Sequence, residues 1–249
     1  MDRQGGTTIG PVLYCGDPHG QFKHIIEVAA RTKASAIVLL GDQEPARPLH
    51  EELASLLDRI WWIPGNHDAD SDELFERVWG GRLADRNVHG RVVVLPDGTR
   101  LAGLGGVFRE AVWHPNGGVQ PAFRNREEHA RATAPQGRWQ GGAHRRHWGT
   151  IYPDELDKLA DMRADVLVTH EAPGYHPHGF SILDTLAQSL GVKLSVHGHH
   201  HDRLDSSTCW EVQGFMSYGV GLRGITAIDI CGSAEVIQAG ELDNDRKRR

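Results

Sequence analysis

The strongest constraint on this chain is an alternation. Short apolar runs alternate with helix-spaced stretches, and five of those runs stop at a cluster of Asp, Asn, Glu or His. Val12–Cys15 ends at Gly16-Asp17-Pro18-His19-Gly20, and residues 37–40 end at Gly41-Asp42. Residues 60–63 end at Pro64-Gly65-Asn66-His67-Asp68, Val166–Thr169 at His170-Glu171, and residues 192–196 just before Gly198-His199-His200-His201. Between them lie helical patterns. Residues 22–30 place Phe22, Ile25, Ile26 and Ala29 on one face, and residues 49–57 do the same with Leu49, Leu53, Leu56 and Leu57. Helices are also expected over 153–160 and 182–190. Such alternation predicts βαβ units and parallel strands. Ligands of open α/β sheets bind beyond the carboxyl ends of the strands, so one sheet edge can gather residues distant in sequence.

Other segments read differently. Residues 91–95 and 99–104 flank Pro96-Asp97-Gly98 and predict a hairpin. Residues 211–218 and 225–230 predict late strands, and the charged tail over 241–249 is expected to fray. No internal repeat is visible. Residues 109–150 break the rhythm, with Gly, Pro, Trp and Arg but little apolar periodicity. Seven arginines less three glutamates give this segment a formal charge of +4. A loop this long in a compact domain is functional or disordered, and a partly ordered cap near the site is expected. Arg109, Arg124, Arg126, Arg145 and Arg146 are candidates to clamp phosphate, against a solvated basic surface as the alternative. Trp113, Trp139 and Trp148 could stack on a base or form the segment's own core. Trp61 and Trp62 belong in a strand core.

Composition narrows the classes. The 249 residues allow one large domain or two small ones, and a single domain is expected, with 109–150 inserted in it. A net charge of −6 argues against bulk binding of polyanions. Cys15, Cys209 and Cys231 show no CxxC spacing, so neither a disulfide framework nor a zinc–thiolate site is expected. The polar start Met1-Asp2-Arg3-Gln4-Gly5-Gly6 has no signal-peptide core, and no run is long enough to span a membrane. A cytoplasmic location is expected.

The ligand types carry the chemistry. Aspartate, asparagine and histidine suit Mn, Fe, Zn or similar ions, and the lack of thiolate disfavours a soft metal. A carboxylate such as Asp42 can bridge two ions about 3.5–4 Å apart. Two dications less Asp17, Asp42 and a bridging hydroxide leave about +1 (4 − 3), which attracts phosphate oxygens and acidifies bound water. In-line attack on phosphorus by that hydroxide would follow.

The ordered set Asp17-x-His19, Gly41-Asp42, Gly65-Asn66-His67-Asp68, His170 and Gly198-His199-x-His201 resembles the calcineurin-like metallophosphoesterase superfamily. The resemblance covers roughly residues 12–202. It implies an α/β fold, a sandwich of two β-sheets flanked by helices, with two divalent or mixed-valence ions. Asp17, His19, Asp42 and His201 would hold one ion; Asp42, Asn66, His170 and His199 would hold the other. His67 would stand outside the metal shell and give a proton to the leaving oxygen or stabilise the transition state. Asp68 would orient an imidazole. Gly16-Asp17-Pro18-His19-Gly20-Gln21-Phe22 resembles the protein Ser/Thr phosphatase branch. However, Asp42-Gln43-Glu44-Pro45 lacks that branch's later acid-Arg-Gly, and Pro64 stands where it has an arginine. Phosphodiesterase or small-molecule branches fit better.

Alone, each motif is a turn or a cap; Asn66 and Asp68, for example, are good helix N-caps. The family pattern selects His199 and His201 over His197 and His200. His176 and His178, in a Pro-rich loop after His170, and Arg109 are candidate substrate contacts. The expected function is a dinuclear-metal phosphoesterase acting on a phosphodiester, nucleotide or other small phosphate compound. Alternatives are a monoesterase or protein phosphatase, a nuclease, and a non-catalytic scaffold. The expected partner is a small phosphate ester, with nucleic acid less favoured and no membrane.

Overall fold

The computed structural model describes residues 10–229, 231 and 233–243. Its strands are β1 (Val12–Cys15), β2 (Ala36–Leu39), β3 (Ile60–Trp62), β4 (Arg91–Val94), β5 (Arg100–Leu104), β6 (Val166–Thr169), β7 (Leu194–His197), β8 (Met216–Gly219), β9 (Ile225–Ile228) and β10 (Ala234–Gln238). Its helices are α1 (Lys23–Thr32), α2 (Leu49–Glu52), α3 (Asp72–Trp79), α4 (Arg126–Ala132), α5 (Pro153–Ala160), α6 (Ser181–Leu190) and α7 (Trp210–Gln213). Two five-stranded sheets run in the orders β10-β9-β1-β2-β3 and β4-β5-β6-β7-β8. In the first, β1, β2 and β3 are parallel. In the second, β5, β6, β7 and β8 are parallel, and the expected hairpin joins β4 to β5.

The layers follow from side-chain alternation. Successive strand residues face opposite sides, and here both sides are buried. Leu13, Cys15, Ile37 and Leu39 face Ile25, Val28 and Ala29 of α1. Val12, Tyr14, Ala36 and Val38 face the other way, onto Leu101, Val166, Val168, Leu194 and Val196 of the second sheet. The far face of that sheet, Ala102, Leu104 and Leu167, is covered by Leu156 and Leu159 of α5 and Leu183, Leu186 and Leu190 of α6. The result is helix, sheet, sheet, helix, the two-sheet sandwich implied above. Trp62 is fully buried, while Trp61 is half-buried under the Arg86 guanidinium, 4.6 Å from its ring.

Some expectations need correction. The helix expected over 49–57 is α2 followed by a 3-10 turn over Ala54–Leu56. The tighter turn still buries Leu49, Leu53 and Leu56 while delivering the chain to β3. The strand expected over 211–218 begins instead as α7, which stops at Gly214 in the left-handed region (φ 78°) before β8 starts. The expected strand over 225–230 ends at Ile228, and Ile230 lies outside the described residues. So do the first nine residues and the tail from 244 on.

The segment 109–150 is tied at its base. The Val107 N–H donates to Gly149 O (3.0 Å) and the Ile151 N–H to Val107 O (3.0 Å). Inside it are α4 and short 3-10 turns. Its tryptophans lean on α3, with Phe75 4.8 Å from Trp148 and 5.8 Å from Trp139 between ring centroids. Trp113 packs edge-on against Phe108. Three of its arginines are engaged by acids: Arg124 by Asp157 (2.6 Å), Arg126 by Glu155 (2.7 Å) and Arg145 by Asp72 (2.7 Å). The tryptophans and these arginines therefore hold the segment to the body rather than form a basic, aromatic face for nucleic acid.

Glu155 makes this attachment testable. Burial alone would raise its pKa, but His89, Arg126 and the Tyr152 N–H outweigh burial and hold it down at about 2, against 4.5 ordinarily. A depressed carboxylate gives stability that is present above the unfolded value and lost as pH falls through the folded value. Urea unfolding should therefore show an acid limb between about pH 4.5 and 2, on the order of 3 kcal/mol deep. Glu155→Gln should flatten that limb and lower stability at pH 7. An unchanged limb would contradict the assignment.

Candidate metal centre

The carboxyl ends of β1, β2, β3, β6 and β7 deliver Asp17, Asp42, Asn66, His170 and His199 to one edge of the sandwich. The chain must reverse sharply there to aim polar groups inward. Asp17 (φ 38°), His19 (41°), Asp42 (50°), Glu44 (43°), His199 (69°) and His201 (57°) all adopt positive φ. These are six of the nine non-glycine residues that do so among the described residues. Each costs about 1–2 kcal/mol, so the surrounding structure must hold the edge in place. Two glycines let the loops approach. A Cβ on Gly65 would sit 2.1 Å from Asp42 Oδ1, and one on Gly41 would sit 2.2 Å from His170 Nδ1.

Two groups of donors result. Asp17, His19 and His201 form one, and Asp42, His170 and His199 the other, with ligand atoms within 4.8 Å of one another in each. The Asp42 side chain falls in the second group; its backbone carbonyl accepts the His19 N–H (3.0 Å) and so joins the two loops. Asn66 Oδ1 lies 3.0 Å from His170 Nε2, beside the second group. The His199 N–H donates to both oxygens of Asp17 (3.1 and 3.0 Å), and the His67 N–H to Asp42 Oδ1 (2.9 Å).

The donors fit metal ions. His170 Nδ1–H donates to Leu40 O (2.7 Å), so its Nε2 is the nitrogen that faces the centre. His19 Nδ1 likewise points to Glu44 Oε2 (2.6 Å), which turns its Nε2 to within 3.1 Å of His201 Nε2. Two ring nitrogens at that distance need a proton or a cation between them. Nitrogens that each lie about 2.0–2.1 Å from one ion have such a spacing. Burial makes the same demand. Asp17, Asp42, Asp68 and Glu171 are all buried, and buried charges are paired or coordinate metals. Burial raises the pKa of Asp17, and of Glu171 to about 7. Burial opposes charge on His170 too, yet Asp42 and Asp17 outweigh it and raise its pKa to about 10. The edge calls for positive charge.

His67 stands beside the two groups, half-exposed, with its ring 6.1 Å from that of His19. Its Nδ1 lies 2.7 Å from Asp70 Oδ2 and 4.0 Å from Glu44 Oε1. Burial lowers its pKa, but the Asp70 hydrogen bond and the charges of Asp42, Asp70 and Glu44 prevail and raise it. The acid that meets the His67 imidazole is thus Asp70, where Asp68 was expected to orient an imidazole. Asp68 is fully buried and accepts the backbone N–H groups of Gln43 (2.7 Å), Glu44 (3.3 Å) and Gly65 (2.8 Å). It ties the β2 and β3 loops together, and burial pushes its pKa up to about 7.

The expected substrate contacts divide. His176 is buried, with Nδ1 accepting the His178 N–H (3.1 Å) and Nε2 3.4 Å from Asp202, and it stacks on His200 at 4.0 Å. Contact with substrate does not suit it, because the Pro-rich loop folds back onto the sheet. His178 is exposed on the same loop. Arg109 reaches Asn66 O (3.4 Å). His197 is fully buried, accepts Tyr175 O–H at Nε2 (2.7 Å), and is no ligand candidate. His200 falls with Glu171 and His199 in a further cluster that overlaps the centre. Glu44, Asp70 and Glu171 were not expected. Acids two or three residues after Asp42 and His67, and directly after His170, were the available signal.

Comparison with known proteins agrees with this geometry. The family model described as calcineurin-like phosphoesterase matches residues 10–203. An uncharacterized protein of Haemophilus influenzae is 40% identical over 198 residues, covering 79% of this chain and 86% of its own. The crystal structure of TT1561 of Thermus thermophilus superposes with a TM-score of 0.56 at 17% identity, over 93% of this chain and 99% of that one. That likeness supports the fold. No helix among the described residues is long and apolar enough to cross a membrane.

Gly65→Ala tests how closely the loops must approach. The added methyl should displace the Asp42 carboxylate, so elemental analysis should find the variant poor in metal while its far-ultraviolet circular dichroism stays that of the wild type. Full metal occupancy in a folded variant would mean that Asp42 is not needed where it stands.

Proposed function

Starting from the fact that the chain belongs to the calcineurin-like phosphoesterase family, whose members are metal-dependent hydrolases of phosphate esters, we propose that it uses two ions together to hydrolyse a phosphodiester, nucleotide or other small phosphate compound. The observation that carries this reading is the pair of adjoining donor groups on one strand edge. Asp17, His19 and His201 would hold one ion, and Asn66, His170 and His199 the other, with Asp42 shared between them. Mn, Fe and Zn all suit these nitrogen and oxygen donors. When bound, the ions supply Lewis-acid polarisation of the phosphoryl group and a water acidified for in-line displacement.

The chain's own groups do the rest. Leu40 O and Glu44 fix the tautomers of His170 and His19. Asp68 holds three backbone N–H groups and so keeps Asp42 and Asn66 in register. Asp70 takes the His67 Nδ1 proton in a hydrogen bond, which leaves Nε2 to act on substrate. In the displacement, the water would give up one proton to solvent as its oxygen bonds to phosphorus, and the bond from phosphorus to the leaving oxygen would break. The leaving oxygen would take the Nε2 proton of the His67 imidazolium, whose charge Asp70 favours, and solvent would restore that proton. The cap also bears on this loop, because Arg145 Nη2 donates to Asp70 O (3.0 Å). His178, exposed with its ring 5.9 Å from that of His200, is the histidine of its loop left to meet substrate. The whole chain would be one domain, with 109–150 its cap.

Turnover of p-nitrophenyl phosphate and bis-p-nitrophenyl phosphate, after Mn²⁺ is restored to metal-stripped protein, tests the reading. Loaded wild type should hydrolyse at least one of them and stripped protein neither. His67→Ala should keep both ions and lose about 10²–10⁴-fold in rate, the usual cost of losing a general acid. Asp70→Asn should lose less, and its loss should grow as the leaving group becomes a poorer one. A metal-replete wild type that turns over neither ester would end the proposal, and an undiminished His67→Ala rate would remove His67 from it.

A further inference from the structure

Arg109 differs from the other arginines of its segment that reach the body. Arg124, Arg126 and Arg145 each meet a carboxylate within 2.7 Å. Among the described residues, Arg109 forms no such ion pair. Its Nη2 makes one long hydrogen bond, to Asn66 O (3.4 Å), and its Nε is buried with no hydrogen-bond partner. Its backbone is fixed, since its carbonyl accepts the N–H groups of Val112 (2.8 Å) and Trp113 (2.7 Å). Burial and the nearby Arg146 both work against its charge, while Asp70, Glu171 and Asp42 favour it. A half-buried guanidinium is thus held against the backbone of an expected metal ligand, next to a second cation and short of acceptors. Buried charges of this kind are stable when an anion completes them.

We propose that Arg109 is the anion clamp of the metal centre and that it selects a phosphate monoester over a diester. Given the two-ion reading above, on which this proposal rests, the number of free phosphate oxygens decides the selection. A monoester has three unesterified oxygens and a diester two. Two metal positions can engage two of them. Only a monoester then leaves an oxygen for the guanidinium, whose planar fork suits phosphate. A diester at the same place would set its second ester group against Arg109 and leave the cation uncompleted. The substrate class is therefore a small phosphate monoester. The protein phosphatase branch's arginine is missing at Pro64, but a guanidinium from another loop reaches the same neighbourhood.

The test compares wild type, Arg109→Gln and Arg109→Lys, each loaded with Mn²⁺ and checked for metal content. It measures kcat/KM on p-nitrophenyl phosphate and bis-p-nitrophenyl phosphate, and calorimetric binding of inorganic phosphate. Wild type should prefer the monoester. Arg109→Gln should lose about 10–100-fold on the monoester and in phosphate affinity, the usual worth of a charge-assisted hydrogen bond, with a much smaller loss or a gain on the diester, so that the preference for the monoester collapses while metal content holds. Arg109→Lys should fall between them, because a point charge lacks the fork; it also serves if Arg109→Gln does not fold. Unchanged phosphate affinity in Arg109→Gln, an equal loss on both esters, or a wild-type preference for the diester would overturn the clamp. If wild type turned over neither ester yet bound phosphate through Arg109, the clamp would stand and the hydrolytic reading would fall.

Discussion

Everything at the working edge of this protein depends on buried negative charge. Asp17, Asp42, Asp68 and Glu171 are withdrawn from water within one set of loops. No apolar core tolerates that without compensation. Asp68 is compensated by backbone N–H groups and stays structural. Asp17 and Asp42 receive one backbone donor each, from His199 and His67, and face imidazoles of the same edge. That arrangement is incomplete as a set of hydrogen bonds and suits metal ions. The positive-φ residues of the same loops show where the cost of the arrangement falls.

The sandwich exists to make that edge rigid. Strands whose residues are buried on both faces cannot slip in register without burying polar groups. Each therefore ends at a defined height, and the residue just past its end is positioned to within a side chain. Five parallel strands from two sheets supply the donors, so residues as distant as Asp17 and His201 share one cluster. The 109–150 segment adds a second kind of control. It is pinned at its base, seated on α3 through Phe75, and linked to the His67 loop through Arg145.

Much of this was legible in the chain, for physical reasons. β1, β2, β3 and β6 are short runs buried on both faces, and such runs announce themselves. The donors gathered at the edge were legible as motifs just past strand ends, and their ordered resemblance to the family, not their position alone, assigned each a place. What escaped notice depended on pairing across loops. Asp70 was hidden by Asp68, the nearer acid, whose burial and backbone partners appear only once the β2 and β3 loops meet. Helix α3 escaped because its apolar face, Phe75, Val78 and Trp79, is completed by tryptophans some 60–70 positions later, as Trp139 and Trp148 show. His176 looked like a substrate contact from its place after His170. Only the fold shows that its loop turns back and stacks it on His200. The strand expected over 211–218 failed because a left-handed Gly214 lets a helical turn and a strand follow each other in ten residues, 210–219.

On the proposed reading, two ions sit side by side on this edge. Anomalous diffraction from crystals soaked in Mn²⁺, with data collected on both sides of the manganese edge, tests it most directly. Two peaks are expected, one among Asp17, His19 and His201 and one among Asp42, His170 and His199. A single peak, or peaks lying elsewhere with these side chains unmoved, would contradict the account.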